Sequence, residues 1–275
     1  RLRTVTGVQT CALPISASVN PIDVSVRENR FSTPKPPPKT IGSDGAGVVE
    51  SVGVEVRSVH EGQRVFFSGL GIGSEGSYAE YALISEPQAV LMPDALTFVD
   101  AAALGMAFPT AYYGLIRRGA LQAGETVLVQ GAAGGVGSAS VQLARAWGAR
   151  VLATVHGDAQ ANLVLGLGAT AVIDYKREDV VAAVLELTDG KGVDLVHELV
   201  ISANLAMDLR LITKGGRIVC TGQGPAPEVS FPIGAALAKD ASFVFMSVNN
   251  AGRAGVADMA RKCAELVVSG RVRPV

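Results

Sequence analysis

The sequence predicts an α/β protein in which a doubly wound parallel sheet is joined to a second, strand-rich region. Three observations carry this reading. An apolar run, TVLV, leads directly into a glycine loop, GAAGGVG (residues 131–137), and a helical pattern opens at once behind it. From about Thr97 onward, short strand-like runs alternate with longer helical patterns, the rhythm of βαβ units. Before that, from Ala17 to about Leu96, the text is turn-rich, with short apolar stretches closed by glycine.

Composition sets the bounds. With 275 residues, 48% apolar and 18% charged, the chain has room for two domains and apolar material for their cores. A net charge of −1 excludes the basic face that a nucleic-acid partner would require. No apolar run reaches the roughly 18 residues needed to span a bilayer. The most apolar stretch, FVDAAALGMAFPTAYYGLI, is broken by Asp100 and Pro109. The expectation is a cytoplasmic protein without membrane association. Cys11, Cys220 and Cys263 form neither a CxxC pair nor a metal spacing, so they read as small buried hydrophobes.

In chain order, residues 5–15 (VTGVQTCALPI) look like a translated sequencing-adapter oligonucleotide. Residues 1–16 are therefore set aside as an assembly artefact; a secretory signal, the competing reading, lacks its sustained apolar segment. AGVVESVG, QRVFFSG and YAEYALIS follow as strands. TPKPPPKT between the first motif and these strands is an extended surface loop, since its prolines lack N–H donors. Parallel strands are expected at residues 126–130, 150–155, 171–174, 193–197, 217–221 and 242–248. Helices are expected at 136–148, 158–168, 178–188 and 202–213, with a last helix at 255–270.

The glycine loop reads as a dinucleotide cradle. Gly131 permits a tight turn, Gly134 and Gly135 let backbone approach a pyrophosphate, and Gly137 lets the helix pack close to the strand. A structural strand-to-helix turn is the competing reading. An NAD site usually ends its second strand in Asp or Glu; here that place holds Val155, which removes an obstacle to NADP. His156, Tyr175, Lys176 and Arg177 are candidates for the same ribose end, with plain surface charge the alternative for the last two. Asp158 stands as a displaced ribose anchor for NAD.

Several motifs taken in order, VNPID, GSDGAGVVESVG, GSYAEYA, AAALGMAFPTAYYGL, GAAGGVG, GATAVIDY and GGRIVCTGQG, resemble the zinc-independent quinone oxidoreductases of the medium-chain dehydrogenase/reductase superfamily, the zeta-crystallin-like group. The resemblance implies a Rossmann domain (residues 99–249) inserted into a GroES-like β-barrel domain (residues 17–98 and 250–275), the barrel being partial and truncated at both ends. It implies pyrophosphate contacts at Ala133, Gly134, Gly135 and Val136, and a ribose-phosphate region at His156 and Tyr175. It implies nicotinamide-side contacts at Asn204, Thr221, Gly222, Gln223, Met246, Ser247 and Val248, with Asn20 and Thr110 as polar positioning residues. Asn20 also reads as a turn residue before Pro21. Zinc-dependent relatives carry a Cys where this chain has VNPID, and Gly-His-Glu where it has Gly42, Ser43 and Asp44, so no metal is expected. A tyrosine common five residues after the Asn is here Ser25.

The expected function is therefore NADPH-dependent reduction of quinones or conjugated enones by hydride transfer. The alternatives are a 2-alkenal or enoyl-thioester reductase and a non-catalytic NADPH-binding protein of the crystallin type. No side chain stands out as a proton donor. A homodimer joined through the edge strand 242–248 is expected, because SFVFMSV is apolar on both faces.

Overall fold

The computed structural model describes residues 6–30 and 39–275. The chain divides into two units, residues 1–109 with 249–275 and residues 110–248. All but the last two residues of TPKPPPKT lie outside the described residues.

In the first unit, β1 (Gln9–Ser16), β2 (Asp44–Val52), β3 (Arg64–Ser68), β4 (Ala82–Ser85) and β5 (Val90–Leu91) form one antiparallel sheet in the order β4-β1-β2-β3-β5. Its core packs Ala12, Val49, Val65, Phe67, Leu70 and Ile84. The segment set aside in the sequence supplies an interior strand. Thr10, Cys11 and Ala12 are buried between β4 and β2, where only small side chains fit. Backbones approach closely there: a Cβ on Gly47 would lie 2.0 Å from the Leu13 carbonyl oxygen. Pro14 is tolerated because pairing with β4 stops at Ala12 and the pairing with β2 shifts register just after it.

Two short helices in this unit were not expected. α1 (Pro21–Arg27) starts with proline in its first turn, and the Asn20 N–H donates to Asp23 Oδ2 at 2.8 Å. α2 (Phe98–Leu104) is capped by Thr97, whose hydroxyl accepts from the Asp100 N–H at 3.0 Å. The C-terminal helix, Gly252–Val268, buries Val256, Met259, Ala260, Cys263 and Ala264 and packs on α2, β3 and β5. The first division between units falls at Pro109, eleven residues past the boundary read from sequence, because α2 packs against β2.

α3 (Ala107–Tyr112) runs across that division into a π-helical turn, Tyr113–Arg118. In the second unit, β6 (Thr126–Val129), β7 (Arg150–Val155), β8 (Ala171–Asp174), β9 (Val193–Glu198), β10 (Ile212–Cys220) and β11 (Ser242–Phe245) form a parallel sheet ordered β11-β10-β9-β6-β7-β8. That is the doubly wound order, with the direction of winding reversing at β6. Leu128, Leu152, Val196, Ile218, Leu205 and Leu209 are among its core residues. The connecting helices are α4 (Gly135–Ala146), α5 (Asp158–Leu167), α6 (Val180–Leu187), α7 (Ile201–Leu211) and α8 (Ile233–Lys239).

Three details depart from the sequence expectation. β10 begins at Ile212 rather than at 217, with a register shift between Ile212 and Arg217. β11 ends at Phe245 rather than at 248; Met246 still donates to the Cys220 carbonyl at 3.1 Å, and Val248 opens a 3-10 turn. α8 was not expected, and none of its residues is buried, which is why its pattern was weak.

Candidate functional site

The glycine loop sits between β6 and α4, next to the point where the sheet's winding reverses. Gly131 has φ +61°, a left-handed conformation, and its N–H donates to Thr154 Oγ1 at 2.9 Å. Ala132 donates to the Thr154 carbonyl at 2.9 Å, which pins the loop to the end of β7. A Cβ on Gly137 would fall 2.4 Å from the Gly131 carbonyl oxygen, so α4 can lie against the loop only with glycine there. Gly131, Gly134 and Gly135 are exposed. The N–H groups of Gly135, Val136 and Gly137, in the first turn of α4, have no helical acceptor to donate to. An uncluttered backbone with outward N–H groups at a helix N-terminus fits a pyrophosphate.

The end of the sheet at β7 and β8, where the ribose is expected from sequence, holds a fixed anion that the sequence reading did not weigh. Val155 is buried, so the first exposed side chain after β7 is His156. Asp174, at the end of β8, accepts from the Lys176 N–H at 2.9 Å and the Gly157 N–H at 3.0 Å. Those two backbone donors, aided by His156, hold its carboxyl down at about 2. His156 Nδ1 lies 3.2 Å from Asp174 Oδ1. Arg177 pairs with Asp174 at 3.4 Å and with Asp158 at 2.9 Å. Lys176 Nζ stands 5.6 Å from the Tyr175 ring centroid and has no acidic partner among the described residues. Tyr175 is half exposed, 5.8 Å from the His156 ring.

At the other half of the sheet, a pocket of about 250 Å³ opens beyond β10 and β11. Thr221, Gly222, Gln223 and Met246 line it, together with Ile201, Cys220, Pro227, Val229 and Phe245. Asn204, Ser247 and Val248 are not among its lining residues. Asn204 instead donates to Glu198 Oε1 at 3.3 Å, and Val248 is buried.

Beneath the pocket lies a polar network that sequence reasoning missed. His197 on β9 is fully buried and contacts Thr221 Oγ1 at 2.8 Å and Ser140 Oγ at 2.9 Å. The π-helical turn makes room for it: a Cβ on Gly114 would lie 2.6 Å from His197 Nε2. Beside it, Glu198 and Asp208 are both fully buried, and each has one carboxyl oxygen, Glu198 Oε2 and Asp208 Oδ2, with no hydrogen-bond partner among the described residues. Burial, then the Glu198 carboxylate, raise the Asp208 pKa well above its ordinary value. Its other oxygen accepts from Gln130 Nε2 at 2.9 Å.

The first unit carries its own polar cluster. Asn20 donates to Ser18 Oγ at 3.0 Å and Asp44 Oδ2 at 3.2 Å, so it is both the residue that starts α1 and part of this cluster. Ser18 Oγ lies 2.7 Å from Asp44 Oδ1. Burial lifts the Asp44 carboxyl to about 6, against the pull of the Ser18 and Asn20 donors. Thr110 is buried in α3, in the other unit. Among the described residues, no three His, Cys, Asp or Glu side chains are grouped to hold a metal.

An antiparallel GroES-like sheet together with a doubly wound sheet and its glycine loop defines an oxidoreductase of the medium-chain dehydrogenase/reductase class. Residues 14–94 match the alcohol dehydrogenase GroES-like domain, and residues 135–265 match the family described as zinc-binding dehydrogenase. The chain is similar to the mouse quinone oxidoreductase, 35% identical over 264 residues, 94% of this chain and 78% of the relative. It is 36% identical to the human quinone oxidoreductase over 215 residues, 78% of this chain but only 64% of that protein. Among solved structures, the Escherichia coli quinone oxidoreductase complexed with NADPH superposes with a TM-score of 0.88 at 26% identity, over 99% of this chain and 83% of that one. The chain belongs to the quinone oxidoreductase family.

Proposed function

We propose that this chain is an NADPH-dependent reductase of quinones or conjugated enones that works without zinc. The observation that carries it is the exposed glycine loop, with outward N–H groups, at the sheet's winding reversal. The relative crystallised with NADPH supports the choice of cofactor. When bound, NADPH supplies the hydride. The α4 N-terminus and Gly131–Gly137 loop hold the pyrophosphate, and the Thr221–Gln223 pocket takes the nicotinamide half. Val229, Pro227 and Phe245 give that pocket an apolar side. Thr110 orients the acceptor, and solvent supplies the proton that turns the reduced quinone into a hydroquinone.

The adenosine ribose end favours NADPH over NADH through Lys176 and Tyr175, whereas Arg177 is already shared by two carboxylates. Consumption of NADPH with 9,10-phenanthrenequinone, against a crotonyl or alkenal acceptor and against no acceptor, tests the reading. Quinone-dependent turnover is expected, and turnover with the alkenal alone would overturn it. Zinc far below one atom per chain after dialysis is the expected elemental analysis. A homodimer through β11 and α8 is part of the same reading: Ile233, Leu237 and Phe245 are 68%, 73% and 62% exposed there. Sedimentation showing only monomer at micromolar concentration would remove it.

A further inference from the structure

Burial leaves His197 a single ring proton, its contacts decide which nitrogen holds it, and the consequence reaches the pocket. Desolvation pushes the imidazole pKa down to about 4, so the ring is neutral at pH 7 and carries a single N–H. Three contacts say where. Ser140 Oγ lies 2.7 Å from the Val136 carbonyl oxygen, a separation at which two oxygens need a hydrogen between them. The Ser140 hydroxyl has one hydrogen, and it points there. The 2.9 Å contact from Ser140 Oγ to His197 Nδ1 then takes its hydrogen from Nδ1. Nε2 is left bare, so the 2.8 Å contact with Thr221 Oγ1 is donated by the threonine hydroxyl. With its hydrogen aimed at the interior, the Thr221 oxygen can only accept from anything in the pocket it lines.

We propose that Thr221 is a specificity-determining residue that accepts a hydrogen bond from a ligand N–H, and that His197 and Ser140 are positioning residues that hold it acceptor-only. This rests on the nicotinamide reading of the pocket. On that reading the donor is the primary amide of the nicotinamide ring, since the pocket lies beyond β10 and β11, across the sheet from the ribose end at β7 and β8. The polarity is set three side chains deep. Ser140 is on the helix that opens with the glycine loop, so one hydrogen-bond chain runs from the phosphate cradle to the pocket wall.

The test has two arms on the full chain. Nitrogen NMR of the three histidine rings should show His197 with a protonated Nδ1 and a bare Nε2. In Ser140→Ala the acceptor for Nδ1 is gone, and the proton is expected to move to Nε2, turning the Thr221 hydrogen toward the pocket. The binding arm compares NADP⁺ with its 3-acetylpyridine analogue, which lacks the amide N–H. The unmutated chain should prefer NADP⁺ by roughly three- to tenfold. Thr221→Val and Ser140→Ala should abolish that preference, while Thr221→Ser should keep it. A protonated Nε2 in the unmutated chain overturns the proposal. Equal affinities for the two dinucleotides overturn the Thr221 assignment and leave the cofactor standing. If neither dinucleotide binds, the functional reading falls, and the amide with it, whatever the tautomer.

Discussion

The two ends of the parallel sheet use the same residue types to opposite effect. Beyond β7 and β8, His156, Asp158, Asp174 and Arg177 meet in water, and backbone N–H donors hold Asp174 fully ionised. Beneath β9 and β10, His197, Glu198 and Asp208 are buried, and desolvation holds the histidine neutral and raises the aspartate pKa. Residue identity therefore says little about charge here; the solvent around each group decides it. The wet end can recognise a ligand through charge and will be sensitive to salt. The dry end can recognise one only through the direction of its hydrogen bonds.

The largest break in this contrast is expected at the buried carboxyl pair. Asp208→Ala leaves the buried Gln130 Nε2 without its acceptor, which costs about 1–3 kcal/mol. Asp208→Asn keeps an oxygen that accepts from Gln130 and should cost less than the alanine. Urea unfolding of the two variants measures the difference. Equal losses would mean that the Gln130 contact does not set the cost at Asp208.

The wet end should yield less, and in binding rather than stability. Replacing Tyr175 and Lys176 together with Ala should weaken NADPH by about tenfold and leave NADH almost unchanged, the size of one charge-assisted hydrogen bond. Because Lys176 is exposed, that gap should narrow as salt is raised from 50 to 500 mM. A gap insensitive to salt would argue against a phosphate contact. Equal dissociation constants for the two cofactors in the unmutated chain would remove the preference itself.

The smallest effects are expected in how stability follows pH. Asp174, lowered to about 2, contributes stability that is complete above its unfolded pKa near 4 and is lost as pH falls toward 2. Asp44, raised to about 6, behaves with the opposite sign: its native form holds the proton longer, so stability falls as pH rises from about 4 to 6. Asp174→Asn should flatten the acid limb and Asp44→Asn the limb between pH 4 and 6, both read from urea midpoints. If the two variants changed the same limb, the assignment of solvent environments would be wrong.

The parallel sheet was legible because each of its strands is an apolar run bounded by glycine or a charged turn, so periodicity alone locates it to within a few residues. β1 was not read, since QTCALPI resembles an adapter translation and carries a proline inside a strand. α1 and α2 are helices of about two turns whose signal is a cap, not a period. The glycine loop could be read because its members are contiguous. The network under the pocket could not: Ser140, His197 and Thr221 are separated by 57 and 24 residues, and only the sheet order brings them together. Asp174 was in view within AVIDYKRED, but its effect depends on which N–H groups turn toward it, and sequence does not show that.

The division of the chain into a continuous unit and a split one bears on how the protein is made. Residues 110–248 emerge from the ribosome as an unbroken stretch and can close their sheet while synthesis continues. The split unit cannot finish then, because Val256, Met259 and Cys263, on the helix that packs against elements made some 150 to 190 residues earlier, follow the inserted sheet. Until they arrive, β3, β5 and α2 wait with an apolar face uncovered. Any chaperone that attends this chain would find its binding surface on that face, during the interval set by translation of the inserted sheet.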